Sequence, residues 1–194
     1  TLAEVIEQAQ AQPNAPEMEV DMSSPELAAR VTPESVALLP LGVTLDVLTI
    51  GDLPHYDGDL DQDGERPANV DAFKAAIAAS DGVVLVTPEY NHSLPGVFKN
   101  AIDWASRPGY RAPFTDKPVA FATASAGPIG GMRAQMHLEN VLLGLKARPF
   151  PHPGCAVTFA PSKFDEGVLT DKDTRDFVAG YLAEFADWLR ERRG

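Results

Sequence analysis

The chain has 194 residues, 44% of them hydrophobic and 23% charged, which is the length and balance of one globular domain and excludes a disordered chain. A formal net charge of −12 argues against nucleic acid or anionic membranes as partners, because both need a basic face. With a single cysteine, Cys155, no run of about 18 apolar residues and no signal pattern at Thr1, the expected setting is a reducing cytoplasm.

In chain order, residues 1–24 read as an N-terminal extension and residues 25–194 as one domain. Thr1–Gln12 can form a helix with Leu2, Val5 and Ile6 on one face, ended by Pro13–Pro16. Met18-Glu-Val-Asp-Met22 alternates, but its acids stand where a central strand needs apolar residues, so it is not a convincing buried strand. A fifth strand, if the sheet has one, is expected from residues 17–23. Glu26–Ala37 reads as a helix broken or restarted at Pro33.

Four apolar runs of strand length follow: Val43–Ile50, Gly82–Pro88, Pro118–Ala126 and Gly154–Phe159. They lack strict alternation, as strands covered on both faces do. Residues 51–69 form a polar loop with six aspartates and glutamates, read as solvated surface and not as a metal site. Val70, Phe73 and Ile77 share one face of an Ala-rich helix, and Pro95 can open a second helix carrying Val97, Ile102 and Trp104. Gly131–Lys146 makes a third. The last runs from Asp171 to about Arg192, with Thr170 or Asp171 as cap and Arg190, Arg192 and Arg193 complementing its dipole. Alternating strands and helices predict βαβ units with right-handed crossovers, hence a doubly wound parallel sheet in a three-layer α/β/α arrangement.

In such folds ligands bind at the carboxyl ends of the strands. The strand Gly82-Val-Val-Leu-Val-Thr87 runs into Pro88-Glu-Tyr-Asn-His-Ser-Leu-Pro-Gly96, a polar and aromatic loop stiffened by two prolines. It is followed by Val97-Phe-Lys-Asn-Ala-Ile-Asp-Trp104. Lys99 and Asp103 stand i, i+4 and can pair. Phe98 and Trp104 read as core or subunit contacts, His92 as a surface histidine and Cys155 as strand core. His137 and His152 lack metal-ligand spacing, so no metal is assigned.

The segments Thr87-Pro-Glu-Tyr-Asn91, Ser93-Leu-Pro-Gly96 and Lys99-Asn-Ala-Ile-Asp-Trp104 resemble the signature of the NADPH-dependent FMN reductase family. Gly51-Asp-Leu-Pro54 with Tyr56, and Ala124-Ser-Ala-Gly-Pro-Ile-Gly-Gly131 with Arg133-Ala-Gln135, agree with it in order and spacing. The resemblance covers about residues 26–190. It implies a flavodoxin-like fold and FMN with NADPH as cofactors. Pro88, Glu89, Tyr90 and Asn91 would then lie along the isoalloxazine, with Ser125 and Gly127 at its other edge. It further implies ping-pong hydride transfer through flavin N5 to a small acceptor such as a flavin or quinone, with no catalytic acid or base from the protein. A homodimer or homotetramer with contacts in residues 90–110 is expected on the same ground.

One departure counts the other way. Family members open with an apolar strand and a Gly-Ser-x-Arg loop that holds the FMN phosphate. Neither is legible here, as if a stretch were missing between Met22 and Pro25. The alternative is therefore a flavodoxin-like protein that has lost tight FMN binding and serves as a binding or structural subunit.

Overall fold

The computed structural model describes residues 17–22, 38–62, 64–165 and 168–193, over which elements are numbered below. The helices expected at Thr1–Gln12 and Glu26–Ala37, and the junction at Ser23 and Ser24, lie outside the described residues. Six strands form one parallel sheet: β1 (Glu17–Met22), β2 (Thr44–Thr49), β3 (Gly82–Thr87), β4 (Pro118–Ala124), β5 (Arg148–Pro149) and β6 (Cys155–Val157). The helices are α1 (Ala68–Ala79), α2 (Gly96–Ala105), α3 (Met132–Gly144) and α4 (Lys172–Arg193). A small antiparallel pair, β7 (Phe164–Asp165) and β8 (Val168–Leu169), precedes α4.

The strand order is β2-β1-β3-β4-β5, with β6 also on β4, which is the flavodoxin-like order. β1 pairs in parallel with β2 on one side and with β3 on the other, Met22 lying level with Thr49 and Val86. This bears out the fifth strand expected from residues 17–23 and corrects the doubt that Met18–Met22 could stand within the sheet. It is the fifth strand, and it occupies an interior place. Backbone ladders on both sides outweigh the acidic alternation, because strand preference follows the neighbours more than the residue types. The sheet therefore reaches into the stretch 1–24 set apart above as an extension.

Successive residues of β3 and β4 point to opposite faces, and each face has its own helices. Val83, Leu85, Val119 and Phe121 pack with α1, α2 and α3 through Phe73, Ile77, Phe98, Ile102, Leu138 and Leu142. Val84 and Ala120 pack with Tyr181, Phe185 and Leu189 of α4, and with Phe150. Each of the valines, leucines, isoleucines and phenylalanines among them contributes about 1.5–3 kcal/mol by leaving water. Phe98 and Trp104 are fully buried, which decides between core and subunit contact in favour of core.

The fourth apolar run differs from its expected strand. The edge is made in two pieces, β5 against Pro118–Val119 and β6 against Ala122–Ala124. Phe121 falls in the gap. There the Tyr181 hydroxyl accepts from the Phe121 N–H and donates to its carbonyl, both at 3.0 Å, so a side chain of α4 completes the interrupted ladder.

Candidate functional site

The strand order places β2 on one side of β1 and β3 on the other, and open α/β sheets bind ligands beyond the carboxyl ends of the strands at such a switch point. The ends are level: Thr87 pairs with Thr123, and Ala124 with Val157. Pro88 and Ser125 thus leave the sheet side by side.

In the first loop, Tyr90 and Ser93 exchange backbone hydrogen bonds of 3.0 and 2.9 Å around a two-residue turn. Asn91 (φ 48°) and His92 (φ 65°) are both left-handed, as in a type I′ turn, a conformation that asparagine tolerates well. The turn leaves the Tyr90 ring 55% exposed. The amides of Glu89 and Asn91 donate to no acceptor among the described residues. Behind the loop, Asn100 donates to the Pro54 carbonyl (2.9 Å) and accepts from the Tyr56 amide (2.7 Å), while the Trp104 indole donates to the same carbonyl (2.8 Å). The Asn and Trp of the motif therefore fasten the segment after β2 to α2. Lys99 and Asp103 pair at 2.6 Å as expected.

In the second loop, Ser125 Oγ accepts from the Gly127 amide at 3.1 Å. The loop is tied to the chain beyond β6: Ser125 N–H donates to Val157 (3.0 Å), Ala160 N–H to Ser125 (2.9 Å) and Phe159 N–H to Gly127 (3.2 Å). The Ala126 amide, like those of Glu89 and Asn91, has no acceptor among the described residues. Gly131 has φ 87°, and a Cβ there would fall 2.7 Å from Thr123 Cβ, so glycine is required on two counts. Thr123 donates to the Gly130 carbonyl at 2.6 Å. Buried Gln135 donates to Thr123 Oγ1 (2.7 Å) and to the Cys155 carbonyl (2.8 Å), locking loop, helix and strand together.

The two loops meet through Glu89. Its carboxylate accepts from the Arg133 amide and from the Arg133 guanidinium, both at 3.2 Å. The Glu89 side chain is thus engaged with protein, which leaves its backbone amide as the group without an acceptor among the described residues. Sequence reasoning assigned no roles to Arg133, Thr123 and Gln135 of this candidate site; the signals for them were the Gly130-Gly131 pair before a helix and the Arg133-Ala-Gln135 match to the family pattern. Ser93 Oγ also meets His137 Nδ1 at 2.9 Å. Cys155 is buried, and desolvation pushes its thiol up to about 12, so it stays protonated and unreactive. Among the described residues no three His, Cys, Asp or Glu side chains gather to hold a metal, and no helix is long and apolar enough to cross a membrane.

Comparisons with known proteins agree with this geometry. Residues 21–162 match the family model described as NADPH-dependent FMN reductase. The chain is 40% identical over 162 residues to an NAD(P)H-dependent FMN reductase of Pseudomonas aeruginosa, covering 83% of this chain and 86% of that one. A quinone reductase of Escherichia coli is 39% identical over 167 residues, covering 84% and 87%. The structure of FerB, a flavoenzyme NAD(P)H:acceptor oxidoreductase from Paracoccus denitrificans, superposes with a TM-score of 0.79 at 33% identity, covering 91% of this chain and 98% of that one. With its level strand ends, its two joined loops and these relatives, the chain belongs to the NADPH-dependent FMN reductase family of flavodoxin-like oxidoreductases.

Proposed function

We propose that the chain holds FMN with its ring between residues 88–91 and 125–127 and works as a cytoplasmic NAD(P)H oxidoreductase on a small quinone or flavin acceptor. The observation that carries this reading is the set of amides at Glu89, Asn91 and Ala126 with no acceptor among the described residues, on two loops that the Glu89–Arg133 pair holds together. Such donors fit the carbonyl and nitrogen edges of an isoalloxazine. FMN held there would supply the redox chemistry, a hydride from NADPH at N5 and electrons for the acceptor by a ping-pong route. The protein's part is positional. Pro88 stiffens the first loop, the left-handed turn presents Tyr90, and Ser125 shapes the second loop through the Gly127 amide. With Glu89 committed to Arg133, no carboxylate of the first loop is left as an acid or base, and hydride transfer to a flavin needs none.

NADPH as the donor follows the family name. Assembly as a homodimer draws support from the apolar side chains that α2 and α3 leave exposed, Val97, Met136 and Leu143.

Titration of the apoprotein with FMN and with riboflavin, followed by flavin fluorescence, tests the cofactor. Only Ser23 and Ser24 stand between Met22 and Pro25, so the phosphate is expected to gain little. Losing three charge-assisted bonds at about 1.5 kcal/mol each weakens binding roughly a thousandfold. The expected result is weak, exchangeable FMN with a small advantage over riboflavin. Nanomolar FMN with much weaker riboflavin would instead reveal a phosphate site at Ser23 and Ser24. No saturable binding of either flavin would favour the reading as a binding or structural subunit.

A further inference from the structure

We propose that Phe159, with Ile129 beside it, forms the apolar wall on which the flat ring of the electron acceptor stacks, making Phe159 a specificity-determining residue. The inference rests on the flavin-site reading above. Phe159 follows β6 by two residues, and β6 ends level with β4, so it emerges at the same edge of the sheet as Pro88 and Ser125. Its backbone is left-handed, at φ 49° and ψ 38°, an unfavourable conformation for a bulky aromatic residue. Three hydrogen bonds enforce it: its amide donates to Gly127 (3.2 Å), and its carbonyl accepts from the Ser162 amide (3.1 Å) and the Ser162 hydroxyl (2.8 Å). Strain held in place by surrounding bonds is a mark of functional positions.

The strain gains the fold no burial, because the Phe159 side chain remains 53% exposed. Ile129, in the loop that borders the site, is 45% exposed. Gly130, the residue after Ile129, lies close to the chain just before Phe159: a Cβ at Gly130 would lie 3.0 Å from Ala156 Cβ and 3.1 Å from Thr158 Cγ2, so the loop is pressed onto that strand end. Two apolar groups rigidly mounted at a ring-binding edge suit a flat conjugated ring. In the proposed cycle that ring is either the nicotinamide or the acceptor. The Phe159 and Ile129 side chains carry no polar atom to meet a carboxamide, which favours an apolar quinone-type acceptor.

The test uses FMN-loaded wild-type protein, Phe159→Ala, Phe159→Tyr and Phe159→Asn, with NADPH as donor and either 1,4-naphthoquinone or ferricyanide as acceptor. Ferricyanide is a compact inorganic oxidant with no face to stack. Phe159→Ala is expected to raise KM for naphthoquinone about tenfold, the worth of one aromatic contact. It should leave kcat/KM for ferricyanide, KM for NADPH and FMN affinity unchanged, and Phe159→Tyr should restore the wild-type KM. Phe159→Asn, which suits the left-handed backbone, should match Phe159→Ala in kinetics while melting no lower than wild type. Equal losses with both acceptors, no loss with either, a change confined to NADPH, or a shift in mass by light scattering would each overturn the proposal. Wild-type protein that fails to bind FMN would instead sink the site reading on which it rests.

Discussion

At the scale of single residues, the join between the two loops follows from what Gly131 lacks. It precedes α3 with φ 87° and has no side chain to cap the helix, so the Arg133 amide takes its acceptor from Glu89, 44 residues away in sequence. A carboxylate at a helix N-terminus also meets the positive end of the dipole. Glu89→Ala is therefore expected to destabilise the fold by about 1–2 kcal/mol in urea titrations and to weaken FMN binding, because it frees one loop from the other. Glu89→Gln keeps a hydrogen-bonding oxygen but not the charge, and should fall between. Unchanged flavin affinity in Glu89→Ala would show that the tether has no part in presenting the ring site. Gln135 is a second such point: Gly154 lies so close that a Cβ would come within 2.1 Å of its Oε1. Its two hydrogen bonds were invisible in sequence because they reach Thr123 and Cys155 on neighbouring strands.

At the scale of elements, α4 does more than cover a sheet face. Removing the Tyr181 hydroxyl leaves both polar groups of Phe121 without a partner in a buried gap. Tyr181→Phe should cost about 2 kcal/mol by chemical denaturation, more than the loss of one ordinary hydrogen bond. A cost near zero would mean that another group fills the gap. The same helix starts at Asp171, whose carboxylate accepts from the Thr174 amide at 3.0 Å and from its hydroxyl. The Thr174 side chain, then its amide, hold the Asp171 carboxyl below the ordinary aspartate range. A depressed folded value means stabilisation that is complete at neutral pH and is lost as pH falls through the ordinary aspartate range toward the folded value. Asp171→Asn still caps but does not titrate. Thermal melts between pH 7 and pH 3 should show the wild-type advantage shrinking with acid, and parallel curves would contradict the assignment.

At the scale of the whole molecule, the open question is assembly. Phe98 and Trp104, the aromatic residues of α2, face inward, so a contact in residues 90–110 must rest on Tyr90, Val97 and Tyr110, which are exposed. The neighbouring face of α3 adds Met136 and Leu143. The wild-type chain should scatter light as twice 20.8 kDa at micromolar concentration, and Val97→Glu should shift it toward the monomer without unfolding it. A monomeric wild type would remove the dimer from the proposal.

Local order determined much of this protein before any contact was known. Apolar runs at Gly82–Thr87 and Pro118–Ala124 alternate with amphipathic helices, and that pattern already implies a parallel sheet whose loops cluster at one edge. Pro88–Asn91 was legible as a candidate binding loop because its proline, tyrosine and asparagine follow a strand directly. A fifth strand was expected from residues 17–23, but its interior place was not legible, since its acids argue for a surface and only the ladders to β2 and β3 place it inside the sheet. Nor could sequence show that β5 and β6 share one edge with a tyrosine between them, or that Phe159 is held left-handed just beyond β6. Each of these depends on hydrogen bonds between residues far apart in the chain. Periodicity reports how a segment meets a surface, whereas the partner across a ladder or beneath a loop exists only once the chain has folded.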